Sequence, residues 1–461
     1  MRIKNRTGLR WKHLPIISFI GLALWIVLQF DAVFEQKTNA LLALLPLAWW
    51  SLNANFSTFQ SDRNVVTPKN IILFIWLNKL LIIPMELIFM GNKITRLNPK
   101  NQPIHLEIII LLVSCAAFGF GWQSNLLKSK TQELLPIRTA KPWAILYISI
   151  ALVSLLLLYG SLSAYWAGAI FTYATREALE QAGGTFIGFF ANVGQRFWVF
   201  GLILAWYLWS RNYRASSRWY WHLPWLFLCI AGTLNSNRVN MIVPFLTFAS
   251  VMCAQWKAHR KWWIVAIAFG SLFLMLFYGH IRVQPLLDGE IIQELFRVYV
   301  DDKNYIWSAH QLYFGTPYQI SPLLNDPNSS FTLWASVLDP IPILGKAFRE
   351  QSGPYIYNSA INNPSQDQVI PVAGELYYNS GFLLVAIGHF LFGIAAHWFD
   401  TVFKKYSVSN PSLAAAFFYL ALLFNATLML SLSVSVQFAL YNAAPALLLI
   451  GINCRQMRKA S

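Results

Sequence analysis

The sequence predicts an all-α polytopic integral membrane protein with about twelve transmembrane helices, and three observations predict it. Of 461 residues, 56% are hydrophobic and only 12% charged, half the roughly 25% charge of an ordinary soluble domain. Apolar runs long enough to cross a bilayer recur from one end of the chain to the other. Aromatic residues make up 16% of the chain and crowd the ends of those runs in strings such as "AWWS", "WYWHLPW" and "KWW", as interfacial belts do. The four cysteines, Cys115, Cys229, Cys253 and Cys454, show no CxxC or Cys/His spacing, so neither a disulfide framework nor a zinc site is expected.

The spans fall at about 14 to 33, 39 to 54, 70 to 90, 104 to 125, 142 to 162, 186 to 209, 219 to 234, 238 to 256, 262 to 280, 375 to 398, 412 to 433 and 436 to 452. The first follows the basic leader "MRIKNRTGLRWKH" without a small-residue cleavage site, which makes it an uncleaved helix. The second, "ALLALLPLAWWSL", is short and reads equally as a re-entrant hairpin or a broken helix. This divides the chain into helices 1 to 9 over residues 1–278, a loop over 279–374, and helices 10 to 12 with a tail over 375–461.

Positive charge sets the orientation, because cytoplasmic loops carry the excess of Lys and Arg. With a cytoplasmic N-terminus, inside segments carry 22 of the 35 Lys and Arg, outside segments 11 and the spans 2. Both termini are then cytoplasmic. The net charge of +16 is thereby mostly topogenic, lying against anionic headgroups, and nucleic acid is not an expected partner.

Two features depart from a plain bundle. The first is the long outer loop between the ninth and tenth spans. Its early part has helix-like apolar spacing at Ile291, Ile292, Leu295, Phe296 and Val298 to Val300, and its later part carries eight prolines from Pro317 to Pro371, which reads as turns and short helices. It holds no phosphate loop, HExxH or GxSxG.

The second is a set of charges at membrane depth, where ionisable residues face the bundle interior, a partner or a cavity. Arg196 lies about ten residues into its span, in "FFANVGQRFWVFG". Lys79 sits in "FIWLNKLLIIPME", with Glu86 two turns on as a pairing partner and Pro84 as a helix breaker, and its role reads as structural. Arg238, in "AGTLNSNRVNMIVPF", falls at the outer mouth, in the turn before the eighth helix. An arginine fork at a helix N-terminus suits a diphosphate-sized anion.

"AGTLNSNRVNMIVPF", the preceding "NVGQRFWVFGLILAWYL", the "YGHIRV" that closes the ninth span and "PVAGELYYNSGFLLVAIGHFLFGIAAHWF" together resemble the Wzy-type oligosaccharide repeat-unit polymerases, in the same order and spacing from about Phe186 to Phe399. The resemblance implies a GT-C-like membrane transferase without cofactor or metal. It would move a growing glycan from polyprenyl diphosphate onto the non-reducing end of a lipid-linked repeat unit, at the outer face of the bacterial inner membrane. Arg196 and Arg238 match the family's membrane-proximal arginines and Arg282 its basic position after the ninth helix, all three for substrate diphosphates. Polyprenyl-diphosphate oligosaccharides and membrane lipids are the implied partners, with a chain-length regulator and a flippase.

An inverting transfer also needs a base for the acceptor hydroxyl. Glu375 in "AGELYYN" is the first choice, followed by His280 and His310. His389, deep in "VAIGHFLFG", reads as a packed core histidine. Tyr377, Tyr378, Trp307 and Trp334 are of the right type to stack on sugar rings. A glycan ligase and an anion transporter are the competing readings.

Overall fold

The computed structural model describes residues 42, 44–55, 66–93, 104–124, 126, 140–165, 186–212, 222–233, 238–255, 303–315, 317–324, 333–341, 344–362, 370–407 and 409–458. The regular elements among them are helices only: α1 (Leu44–Asn55), α2 (Pro68–Met90), α3 (His105–Gln123), α4 (Ala140–Tyr159), α5 (Phe186–Gln195), α6 (Phe197–Asn212), α7 (Leu223–Ala231), α8 (Arg238–Gln255), α9 (Lys303–Phe314), α10 (Ser321–Leu324), α11 (Leu333–Leu338), α12 (Gly345–Phe348), α13 (Gly353–Ala360), α14 (Val372–Tyr406), α15 (Pro411–Ala426) and α16 (Leu432–Arg458).

Among the described residues, six helical runs are long and apolar enough to cross a membrane: α2, α3, α4, α5 with α6, α14 and α16. Two shorter apolar helices, Ile242–Ala254 within α8 and Pro411–Ala426, accompany them. The chain is a helical, membrane-embedded protein. The spans expected at 14 to 33 and 262 to 280 lie outside the described residues, as does the apolar spacing of 291–300. Two other expected spans come out short. Of the second expected span the described part is α1, 12 residues, about 18 Å at 1.5 Å per residue against a core of about 30 Å. α7 has 9.

Local chemistry explains the helix starts and breaks. The Thr67 hydroxyl accepts the Asn70 N–H at 3.2 Å and Pro68 occupies the first turn of α2. Further along, Pro84 offers no N–H to the preceding turn. The helix does not break there, contrary to the expectation for Pro84. It widens into a π turn over Asn78–Ile82, where the Ile83 N–H reaches Asn78 O. α14 breaks at Ser380 and Gly381, where Gly381 has φ 63° and ψ −155°. Leu376 Cδ1 lies 2.7 Å from where a Cβ on Gly388 would be. Twelve residues of straight helix span about 18 Å, so the first segment of α14 folds back against the second.

Two apolar cores result. One packs α4, α6, α7, α8, α15, α16 and the far part of α14 around Phe200, Phe248, Phe418 and Tyr419. The other packs α1, α2, α3 and the near part of α14 around Trp76, Phe118 and Ile320. In the second core α3 and α14 run parallel: Ser321 beside the start of α14 bonds Glu107 in the first turn of α3, and Gly121 near the α3 end meets Phe390 and Gly393.

The segments from 303 to 362 gather at one end of the bundle, here the loop end. They touch the C-terminal end of α2 and the N-terminal ends of α3, α14 and α16. The opposite end is tied by Asp400, which accepts the Lys69 N–H at 3.1 Å and pairs with Lys404 at 2.9 Å, and by Asn410, whose amide donates to Asn453 Oδ1 at 3.0 Å.

Candidate functional site

Arg196 occupies the joint between α5 and α6. Its N–H bonds Val193 O at 3.1 Å, a three-residue closure instead of a four-residue one, so the span turns tightly at this residue. The side chain is buried and is flanked by the tyrosines Tyr159, Tyr165 and Tyr419. The joint packs closely against α4, since a Cβ on Gly194 would lie 1.9 Å from Ser154 Oγ.

The C-terminal end of α7 comes to the same place. Trp198, two residues past Arg196, donates its indole N–H to Leu228 O at 2.9 Å, and a Cβ on Gly232 would collide with its ring. Tyr165 donates its hydroxyl to Ala231 O at 2.9 Å. α8 then opens at Arg238. A cation in a broken span, the start of α6 and the end of α7 therefore share one level of the bundle.

That level belongs to the loop half. Gly194 lies against Ser154 and Gly201 against Tyr147, so α6 runs antiparallel to α4 and Arg196 faces its Tyr159 end. α16 runs parallel to α5 and α6: Phe189 meets Tyr441 at 5.0 Å between ring centroids, and Tyr147, itself 4.9 Å from the Phe197 ring, bonds Pro445 O. The Tyr159 end of α4 and the Leu432 end of α16 thus lie on the same side.

At that loop end sits Glu375, 0% exposed in the first turn of α14. Its Oε2 accepts the Leu432 N–H at 2.7 Å, capping α16. Oε1 has no hydrogen bond of good geometry among the described residues; the Ser336 hydroxyl lies beside it, and Gly353 backs it so closely that a Cβ there would be 2.6 Å away. Ser336 Oγ in turn accepts the Gly353 N–H at 2.8 Å. A second acid joins the same helix start, because Asp339 Oδ2 accepts the Ser433 hydroxyl at 3.1 Å and Oδ1 faces Arg349 at 3.4 Å.

Three of the four aromatic residues expected to meet glycan lie on the segments around this acid. Tyr377 packs on Phe382 at 5.0 Å, and Tyr378 joins a small cluster with Tyr357 and Ile370. Burial pushes the Tyr357 phenol above its ordinary range. Trp334 on α11 is 66% exposed. Trp307, half-buried, stands one turn before His310 on α9.

His310 serves another junction. Its Nδ1 lies 2.7 Å from Glu86 Oε1 and its Nε2 lies 2.8 Å from Asn78 Oδ1. The Asn78 amide donates to Phe74 O at 2.7 Å, which fixes Oδ1 as the acceptor toward the ring. Nε2 is therefore the donor in that bond, and Nδ1 faces the carboxylate. Glu86 faces His310, and no ion pair joins it to Lys79. The expected Lys79–Glu86 pairing is corrected: α9 delivers a closer partner to the carboxylate.

The structure thus separates the expected residues into three groups: Arg196 beside the end of α7, Glu375 with Tyr377, Tyr378 and Trp334, and His310 with Trp307. His280 and Arg282 lie outside the described residues. Sequence reading missed Asn78, Asp339, Gln311 and the Glu107–Ser321 bond, all of which fasten the loop to the bundle. The one signal for them was polar residues at membrane depth.

These features define a helical membrane protein whose loop segments seat on one end of a bundle that holds a buried arginine in a broken span. No protein-family model, curated protein or solved structure matches the chain.

Proposed function

We propose that the chain is a glycan polymerase of the bacterial inner membrane, with both termini cytoplasmic and the loop end facing outward. It transfers a growing oligosaccharide from polyprenyl diphosphate to the non-reducing end of a lipid-linked repeat unit. The observation that carries this reading is Arg196: a guanidinium buried at the joint of two half-helices, with Tyr159, Tyr165 and Tyr419 near enough to act on its charge, level with the end of α7. Charge-assisted bonds from such a fork hold a diphosphate and strengthen as negative charge gathers on the leaving group.

Glu375 supplies the base. Leu432 holds one carboxylate oxygen, and the other is the acceptor for the incoming hydroxyl's proton once α13 shifts aside. In the step the acceptor oxygen bonds to the anomeric carbon, the bond from that carbon to the diphosphate oxygen breaks, and the proton passes to Glu375. Arg282 keeps its expected role toward the substrate diphosphates, and Trp307, Trp334, Tyr377 and Tyr378 keep theirs toward the sugars.

A second reading has its own observation. The broken spans at Arg196 and Gly381 put half-helix ends inside the bundle, as secondary transporters do around anionic solutes. Purified protein incubated with a polyprenyl-diphosphate oligosaccharide from its host decides between them. The polymerase yields glycan dimers and higher multiples by mass spectrometry, and Arg238→Ala loses them. Unchanged substrate with the native repeat unit, from folded protein that binds the free anion, favours the transporter.

A further inference from the structure

Lys79 is the second buried cation of the bundle, and its surroundings differ from those of Arg196. It is 3% exposed, in the π turn of α2, and no hydrogen bond or ion pair joins it to any described residue. A cation at membrane depth without a partner is costly, and such residues usually mark a site. π turns interrupt helices frequently at functional positions.

One neighbour is a donor without an acceptor among the described residues. Trp76, one turn earlier on α2, is buried with its indole N–H unpaired. Its ring stands 6.4 Å from that of His389 on α14, whose Nδ1 donates to Val385 O at 2.9 Å. No carboxylate is bonded to any of the three: Glu86 is paired with His310, and Glu107 accepts from Ser321.

A short stretch of the loop covers the amine. Lys79 Nζ lies 3.3 Å from where a Cβ on Gly315 would be, and Gln319 Oε1 and Pro371 Cγ lie 3.3 Å from that same point. Gly315 has φ +77°, so the chain bends over the ammonium where a side chain would be excluded. The stretch is fastened on both sides by polar contacts that can exchange with water, His310 with Asn78 and Glu86 before it and Ser321 with Glu107 after it.

We infer that Lys79 is the cation of a second oxyanion site, which takes a phosphate group between α2 and α14 when the 315–321 stretch lifts, with the Trp76 indole N–H as a second donor. This rests on the transferase reading in one respect. That reaction brings two lipid-linked diphosphates together, and the two cores then hold one each, at Arg196 and at Lys79.

The test uses the full chain in detergent. Radiolabelled inorganic pyrophosphate is measured by equilibrium dialysis on the wild type, Lys79→Met and Arg196→Met, and melting is followed without ligand. The expected result is loss of one bound pyrophosphate per chain in each variant, and a higher Tm for Lys79→Met, which removes an unpaired buried cation. Labelling of Lys79 in the wild type by an amine-reactive reagent, read by peptide mass spectrometry, needs no variant to fold. Pyrophosphate is expected to slow it about tenfold, and polyprenyl diphosphate to do so at lower concentration if the lipid-linked substrate is the source. Pyrophosphate binding unchanged in folded Lys79→Met, or labelling unchanged by both anions, overturns the site. Either result leaves the transferase reading untouched, because glycan lengthening is measured separately.

Discussion

Gly121 on α3 lies so close to the Phe390 carbonyl on α14 that a Cβ would stand 2.0 Å from its oxygen. The contact is reciprocal, since a Cβ on Gly393 would be 2.2 Å from Phe118 O. Without a hydrophobic drive between helices in lipid, backbone approach at small residues is what packs them. Gly121→Val and Gly393→Val are expected to separate the two helices, costing at least the ~1–3 kcal/mol of overpacking. Gly451→Ala is the control: nothing lies within 4 Å of its Cβ position, and it gains ~0.5–1 kcal/mol in helix propensity. Thermal unfolding in detergent distinguishes them.

Gly381 tests the break in α14. Its φ of 63° and ψ of −155° fall in a region that only glycine adopts readily, while no atom lies within 4 Å of a Cβ there. Gly381→Ala therefore loses about 1–3 kcal/mol through the backbone alone. A Tm equal to wild type would show that the break is not held in this conformation.

Glu375 has separable structural and chemical roles. Glu375→Gln keeps an oxygen for the Leu432 N–H, so the melting temperature stays near wild type while glycan transfer falls about 10²- to 10⁴-fold with loss of the base. Glu375→Ala leaves that N–H unpaired and costs a further ~1–3 kcal/mol. Full transfer by Glu375→Gln would move the base elsewhere.

His310 and Glu86 are expected to behave as a unit. Each single change to Ala leaves the other partner without its contact, buried in the case of Glu86, whereas the double change removes both. A double-mutant cycle on unfolding is expected to give a coupling of roughly 0.5–3 kcal/mol. Additive effects would mean that the 2.7 Å approach carries no energy.

Much of the bundle was legible in the sequence, because apolar length and charge asymmetry report directly on a membrane. The runs at 70 to 90, 104 to 125 and 142 to 162 reappear as α2, α3 and α4 within a few residues. The tenth span did not stop near 398; it continues to Tyr406 after a break, which hydropathy cannot see because Ser380 and Gly381 interrupt neither length nor composition. Arg196 was legible as a charge inside a span, but the joint that places it was not, since that depends on packing against Ser154 and Trp198. The His310–Glu86 pairing joins residues 224 apart in sequence, and only the fold brings them together.

The central claim is that Arg196 holds a lipid diphosphate while a glycosidic bond forms. The measurement that tests it most directly follows polyprenyl diphosphate release and glycan length together, in purified wild type and Arg196→Lys. The account predicts one diphosphate released for each repeat unit added, and a rate about 10²- to 10³-fold lower in Arg196→Lys at an unchanged Tm, because a point charge replaces the planar fork. Glycan lengthening at the wild-type rate in Arg196→Lys, or no diphosphate release from folded wild type given its native substrate, would contradict it.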